Sequence, residues 1–374
     1  MLYATLCAAA FACSAPVEPA NWPSFRGDGT SISPAKNLPL KWSATENIAW
    51  RNTLPGYGQS SPVVWGEHIF VTAIDGAEKE KLFLVALESK NGKVAWQKEL
   101  ASTLPGKNNQ MMSRAGPTPV VDANGVYAFF ESGDVHAFTH AGKALWTRSI
   151  SKDYGKFENA HGLSSSPAQT KNAVIILIDD MSASYLLALN KQNGKTMWKT
   201  ERAKRSSWCS PVVANLNGKL RIVISSNSSL SVYDAESGKE IAMMDGLTGN
   251  NVASAVVVQD RIYIGAAENR MNPDIVASAK SNCCVKLVEK DGQAKLEIVW
   301  QAKKAISSFA SPLVVDGFVY IITKAGVVHC LDAKTGEEQY AERLPSSAWA
   351  TPIAANGHIY FFCKDGSTAV VKAG

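Results

Sequence analysis

Ala188-Leu189-Asn190-Lys191-Gln192-Asn193-Gly194-Lys195-Thr196-Met197-Trp198 decides the fold, because Ala86-Leu87-Glu88-Ser89-Lys90-Asn91-Gly92-Lys93-Val94-Ala95-Trp96 repeats it almost word for word. Each copy is an apolar strand, a polar turn ending in glycine, and a strand carrying tryptophan. Glycine suits such a turn because hairpin geometry asks for positive φ. Working outward, each unit opens on a similar phrase: Ser61-Pro62-Val63-Val64, Thr118-Pro119-Val120-Val121, Ser166-Pro167-Ala168, Ser210-Pro211-Val212-Val213, Ser254-Ala255-Val256-Val257, Ser311-Pro312-Leu313-Val314 and Thr351-Pro352-Ile353-Ala354. A tight turn follows (Asn124-Gly125, Asn217-Gly218, Asp316-Gly317, Asn356-Gly357), then a strand rich in β-branched and aromatic residues such as Phe318-Val319-Tyr320-Ile321-Ile322.

The second glycine turn recurs at Gly92, Gly142, Gly194, Gly238, Gly292 and Gly336, and the closing aromatic at Trp96, Trp146, Trp198, Trp300 and Tyr340, with Ile241 in its place in the fourth unit. A unit of roughly 40–57 residues cannot bury its apolar face alone, so successive copies must pack on one another. Four short strands per unit, seven times over, predict an all-β chain: a seven-bladed rather than eight-bladed β-propeller of four-stranded antiparallel blades. The seventh unit has three strands, and Ile48–Leu54, carrying Trp50, has the character of the missing one. An N-terminal strand is therefore expected to complete the last blade and cover its edge. Trp50, Trp96, Trp146, Trp198, Trp300 and Tyr340 are read as wedges between blades.

Length alone would divide 374 residues into two or three domains, but a repeat array builds its core unit by unit. The expected division is a signal peptide at 1–15, a leader at 16–46 and the propeller at 47–374. Leu2–Ala12 is apolar and rich in small residues, which reads as an export signal. The chain is therefore expected in the periplasm or cell envelope, with a lipid anchor on Cys13 as an alternative. No run in the body is long enough to span a bilayer. The net charge of +5 is scattered, the densest basic group, Lys199–Arg205, reads as a solvated loop, and no nucleic acid is expected. Cys209, Cys283, Cys284, Cys330 and Cys363 form no disulfide framework and no zinc pattern. A monomer is expected.

The phrase Ala-x-x-x-x-x-Gly-Lys-x-x-Trp resembles the repeat of the pyrroloquinoline-quinone-like propellers, a superfamily that holds quinoprotein alcohol dehydrogenases and BamB-like envelope proteins. The leader Asn21-Trp22-Pro23-Ser24-Phe25-Arg26-Gly27 is similar to the opening of a group of exported bacterial proteins in it. The resemblance implies the fold and leaves activity open, because propellers host unrelated functions. Quinoprotein dehydrogenases would need a catalytic aspartate, a calcium site and residues clamping the quinone. Cys283-Cys284 resembles their vicinal pair but sits in the fifth unit, and the spacing of Asp179-Asp180, Glu268 and Asp274 compels no calcium site. No cofactor, metal or catalytic residue is expected; quinone and calcium are the alternative.

Strand parity places the candidate site. In a four-stranded blade, second-to-third-strand loops and blade-to-blade loops share one face. The long insertions Ala101–Gly116, Ser151–Gly162 and Glu268–Asn282 all fall there. Tyr57, Gln59, Arg114, His161, Trp208, Asn250, Asn251, Phe309 and Trp349 precede first strands and should rim the channel; Met111 and Arg270 lie in insertions. Trp208, Phe309 and Trp349 share one register position, readable as blade packing or as an aromatic funnel. The leading expectation is a non-enzymatic scaffold binding an envelope protein, peptide or glycan on this face. A quinone-dependent dehydrogenase and a ligand-sensing propeller are the alternatives.

Overall fold

The computed structural model describes residues 21–106, 115–158, 161–269 and 273–374. Seven four-stranded sheets follow one another around a ring, and six of them run from first to fourth strand in chain order. The first blade is typical: Val63–Trp65 innermost, then His68–Asp75, Lys81–Glu88 and the outer Val94–Ala101. The middle strands are buried on both faces, since each blade lies between two others, while outer strands alternate exposed and half-buried residues.

Apolar clusters lie between blades. Val63, Phe70 and Leu84 of the first blade meet Val121, Val126 and Phe130 of the second. Val232 and Leu230 of the fourth meet Ile262 and Val285 of the fifth. Opposite the tryptophan, six blades carry the same register shift between third and fourth strands, for example between Ala86 and Leu87 or Ala188 and Leu189. Such a bulge re-aims one side chain. The ring is swung onto the next blade's turn: a Cβ on Gly194 would come within 2.6 Å of Trp146, and one on Gly336 equally close to Trp300. Glycine at positive φ is thus also a steric requirement at these turns. Trp96, Trp146 and Trp300 donate Nε1–H to His140, Lys191 and Ala333 carbonyls of the following blade.

The fourth blade differs from its sequence reading. Pairing places Ala242, not Ile241, opposite Val232 at the tryptophan position. The fifth blade's third and fourth strands, Cys283–Lys290 and Gln293–Gln301, are long enough to lay Leu287 and Leu296 into the space a tryptophan ring would take. Gly292, at their turn, accordingly meets nothing.

An N-terminal strand does complete the seventh sheet, but it is Ile32–Ser33, and it joins the inner edge in parallel, pairing with Ala354 and Ala355. Ile48–Leu54 forms no strand. Its side chains explain why: Trp50 donates Nε1–H to Ser89 O at 2.9 Å and covers Gly92, and Asn52 donates to Gly92 O. These contacts hold the segment on the first blade's turn and away from the last blade's ladder. Trp42 stacks on Tyr360 of the seventh blade, so the leader bridges the closing seam.

The leader also closes one end of the channel. Trp22 pairs with Val64, Pro23 O accepts from Val121 N–H and Gln169, and Arg26 reaches Ala255 O. These partners lie on the inner strands of the first, second and third blades and just before that of the fifth. The end occupied is that of the short turns, opposite the long insertions. The signal segment and Cys13 lie outside the described residues.

Candidate functional site

The phrase that opens every unit has a structural meaning that sequence reading missed. Ser61 N–H donates to Thr118 Oγ1, Thr118 to Ser166, Ser166 to Ser210, Ser210 to Ser254, Ser254 to Ser311 and Ser311 to Thr351, all at 2.8–3.0 Å. A belt of charge-free hydrogen bonds thus ties the first inner strand to the second and so on as far as the seventh, satisfying amides that no sheet ladder reaches. The available signal was the fifth unit, where Ser254 stays and proline gives way to Ala255. The hydroxyl, not the proline, is the repeated requirement.

Above this belt lies the end that carries the insertions. Trp208 is half-buried: its Nε1–H donates to Gly162 O at 3.0 Å, its backbone N–H donates to Asn251 O, and its ring sits 5.5 Å from the exposed His161. Phe309 and Trp349, from successive blade-to-blade loops, approach to 4.3 Å between centroids. Trp349 is 40% exposed, with Lys364 Nζ 3.7 Å from its ring centre, a cation–π contact in reach of solvent. Tyr57 pairs by backbone with Ile74 and turns its ring outward, and Gln59 is exposed beside it. Asn250 is no rim residue. It is fully buried, with Oδ1 accepting from Ser228 N–H and Nδ2 donating to Ser225 Oγ and Ser229 O, so it shapes the loop from within. Met111, Arg114 and Arg270 fall outside the described residues.

The most exposed large apolar side chains outside the leader stand on this end. Among the described residues five are more than half exposed: Ile275 at 65%, Val276 at 62%, Met181 at 55%, Tyr57 at 53% and Leu40. All but Leu40, which is in the leader, lie here. Ile275 and Val276 open the short helix Ile275–Lys280, held by the Asp274 side chain accepting from Ala277 N–H. Met181 tips the loop between the second and third strands of the third blade.

Of the acidic residues named for calcium, Asp179, Asp180 and Asp274 have protein partners, though Asp180 Oδ2 is buried without one, and Glu268 is exposed. Asp179 binds Arg202 through two oxygens and accepts from Ser226, all buried. Burial would depress Arg202, but Asp179 and Tyr233 outweigh it and hold the guanidinium above its ordinary value. Arg202 ends the outer strand Thr196–Arg202, so this basic cluster is not a solvated loop. Asp180 Oδ1 accepts from Glu158 and Ser182 N–H groups, and Asp274 caps its helix. Among the described residues no three His, Cys, Asp or Glu side chains converge as a metal site does. Cys283 and Cys284 are free and face different inter-blade clusters. Burial pushes both thiols up, to about 12 and about 11, which keeps them protonated and unreactive.

Comparison with known proteins agrees with the architecture. Residues 27–177, 157–342 and 293–373 match the family described as outer membrane protein assembly factor BamB. A BamB of Moranella endobia is 25% identical over 207 residues, which cover 54% of this chain and 47% of the relative. One of Yersinia pestis is 24% identical over 210 residues, covering 56% and 48%. The chain therefore spans about half the length of the curated relatives it matches. The crystal structure of BamB from Moraxella catarrhalis superposes with a TM-score of 0.58 at 15% identity, covering 86% of this chain and 85% of that one. At that identity the fold is what is shared.

Proposed function

The chain belongs to the family of outer membrane protein assembly factor BamB, and from that premise we propose that it is an exported, non-enzymatic propeller that docks a protein of the cell envelope on its loop-rich end. One observation carries the reading: the most exposed large apolar side chains, Ile275, Val276, Met181 and Tyr57, stand on that end together with Trp349. An apolar patch rimmed by polar groups is the usual mark of a protein-binding surface, and aromatic side chains dominate the energetics of such contacts. The opposite end has short turns and the leader laid across it, and its exposed apolar residues Val94, Leu145, Met197 and Leu220 are each less than half exposed.

In this reading the blades supply rigidity and the insertions supply recognition. Trp349, braced by Phe309 and Lys364, is a preordered anchor that loses little conformational freedom on contact. Among the described residues no helix is long and apolar enough to cross a membrane, so recruitment to the envelope would come through the partner or through the N-terminal segment. Affinity capture from a solubilised envelope fraction tests the proposal. The native protein should recover a discrete partner, and the triple variant Met181→Asp, Ile275→Asp, Trp349→Asp should lose it while keeping its thermal midpoint. Equal recovery by both proteins would remove this face from the account. Dye reduction by an alcohol after addition of quinone and calcium would contradict the non-enzymatic reading.

A further inference from the structure

Charge is spread unevenly over the loop-rich end. The mouths of the sixth and seventh blades carry exposed Lys324, Arg343 and Lys364, and the loop that brings Phe309 to Trp349 adds exposed Lys303 and Lys304. Two of these cations are held in place. Lys364 Nζ stands 3.7 Å from the Trp349 ring centre, and its backbone N–H donates to Ser347 O. Arg343 Nη1–H donates to Ala325 O, beside Lys324, at 3.1 Å, which leaves Nε and Nη2 to other acceptors. Ser346 O lies against Gly326 of the sixth blade while Ser347 O holds the seventh, so one short segment joins the two cations across the seam.

No carboxylate answers them. Among the described residues none of these cations forms an ion pair. The nearest acids in sequence are Glu342 and Asp365, and Asp365 spends Oδ1 on the Ser367 N–H and hydroxyl. The fold does not ask for a cation here either. The turns that hold Lys324 and Lys364 are bonded alike, and the same turn in the second blade carries Glu131. Next around the ring the sign reverses: the turn between the second and third strands of the first blade carries exposed Asp75, Glu78 and Glu80, against one exposed cation, Lys81.

We propose that this sector takes an acidic segment of the docked protein, its carboxylates laid across Lys324, Arg343 and Lys364 and an apolar side chain against Trp349 and Phe309. The inference rests on the docking reading above and names the chemistry of its partner. Arg343 offers a carboxylate N–H donors in one plane, and Lys364, braced on an aromatic face, loses little freedom on contact. An anionic membrane or a nucleic-acid duplex would extend over Asp75, Glu78 and Glu80 and be repelled there. A folded protein can present acid to the sixth and seventh blades and base to the first. Such charges fix the orientation and rate of docking, while the apolar tips hold the partner once it has docked.

Fluorescence anisotropy on the full chain tests this with a labelled peptide that alternates glutamate and phenylalanine, set against the same peptide with lysine for glutamate. The acidic peptide should bind at least about tenfold more tightly, and added salt should weaken it because exposed charges are screened. Lys324→Gln, Arg343→Gln and Lys364→Gln together should cost about tenfold in affinity with the thermal midpoint unchanged. Lys93→Gln, Lys143→Gln and Lys195→Gln remove the same charge from the turn end and should cost nothing. On the native protein, carbodiimide should join the peptide's carboxylates to Lys324 or Lys364 and not to Lys195, a reading that needs no variant. No preference for the acidic peptide, an undiminished affinity in the folded triple variant, or tighter binding of phosphatidylglycerol vesicles or a DNA duplex would overturn the proposal. Envelope capture that is lost in Met181→Asp, Ile275→Asp, Trp349→Asp yet untouched by neutralising the three cations would leave the docking end standing and remove its acidic partner.

Discussion

The tryptophans of the outer girdle and those of the loop-rich mouth are the same side chain put to different ends. Trp96, Trp146 and Trp300 each lie over a glycine of the following blade and donate Nε1–H across the seam. Trp349 instead lies 40% open, against Phe309 and beneath Lys364. A tryptophan on an outer strand, laid over the next blade's glycine turn, belongs to the ring, whereas one on a blade-to-blade loop stands within reach of solvent. The fourth blade sharpens the lesson. There the longer hairpin of the fifth blade fills the wedge position, and Ala242 suffices.

The comparison can be broken from the side of the ring first. Asp179→Ala leaves Arg202 buried without its counter-ion, and should cost about 3–5 kcal/mol in denaturant unfolding. A near-neutral result would show that the pair is solvated. Trp146→Ala should cost about 3 kcal/mol by loss of buried ring and the cavity left over Gly194. Ala242→Trp, adding to the fourth blade the residue the others need, should destabilise by about 1–3 kcal/mol because Leu287 and Leu296 already fill that space; a gain in stability would contradict the hairpin explanation. His136 gives a smaller, pH-dependent effect. Burial lowers its pKa, with Asp134 opposing, so the folded state holds it neutral. The unfolded chain binds that proton more readily, so stability present above about pH 6.5 should decline as pH falls below it. His136→Gln should flatten that decline in urea midpoints measured from pH 7.5 to 5. At the mouth, Trp349→Ala should leave stability within about 0.5 kcal/mol of the native protein.

Much of the ring was legible in the sequence because its period is carried by residues with local demands. Gly92, Gly142 and Gly194 must bend at positive φ, and apolar alternation fixes which strands are interior. The closing strand was misassigned because Ile48–Leu54 has strand composition, while its location is decided by the long-range capture of Trp50 on Ser89 and Gly92. Such capture leaves no local trace. At the mouth, register alone placed Trp349, Phe309 and Trp208 on one end, but Asn250, also ahead of a first strand, is buried, because its amide finds three partners on the hairpin of the fourth blade's second and third strands. The apolar tips Ile275, Val276 and Met181 had no repeat to flag them. Arg26 stood in a quoted motif, yet its partner, Ala255 O, is more than two hundred residues away.

The most direct test of the docking claim is site-specific photocrosslinking in the intact envelope. A photoreactive residue would replace Met181, Ile275 or Trp349 on the loop-rich end, and Lys195 or Asn356 on the turn end. The account predicts a discrete protein adduct from the first three positions and none from the last two. Adducts arising from the turn end, with none from the loop-rich end, would contradict it.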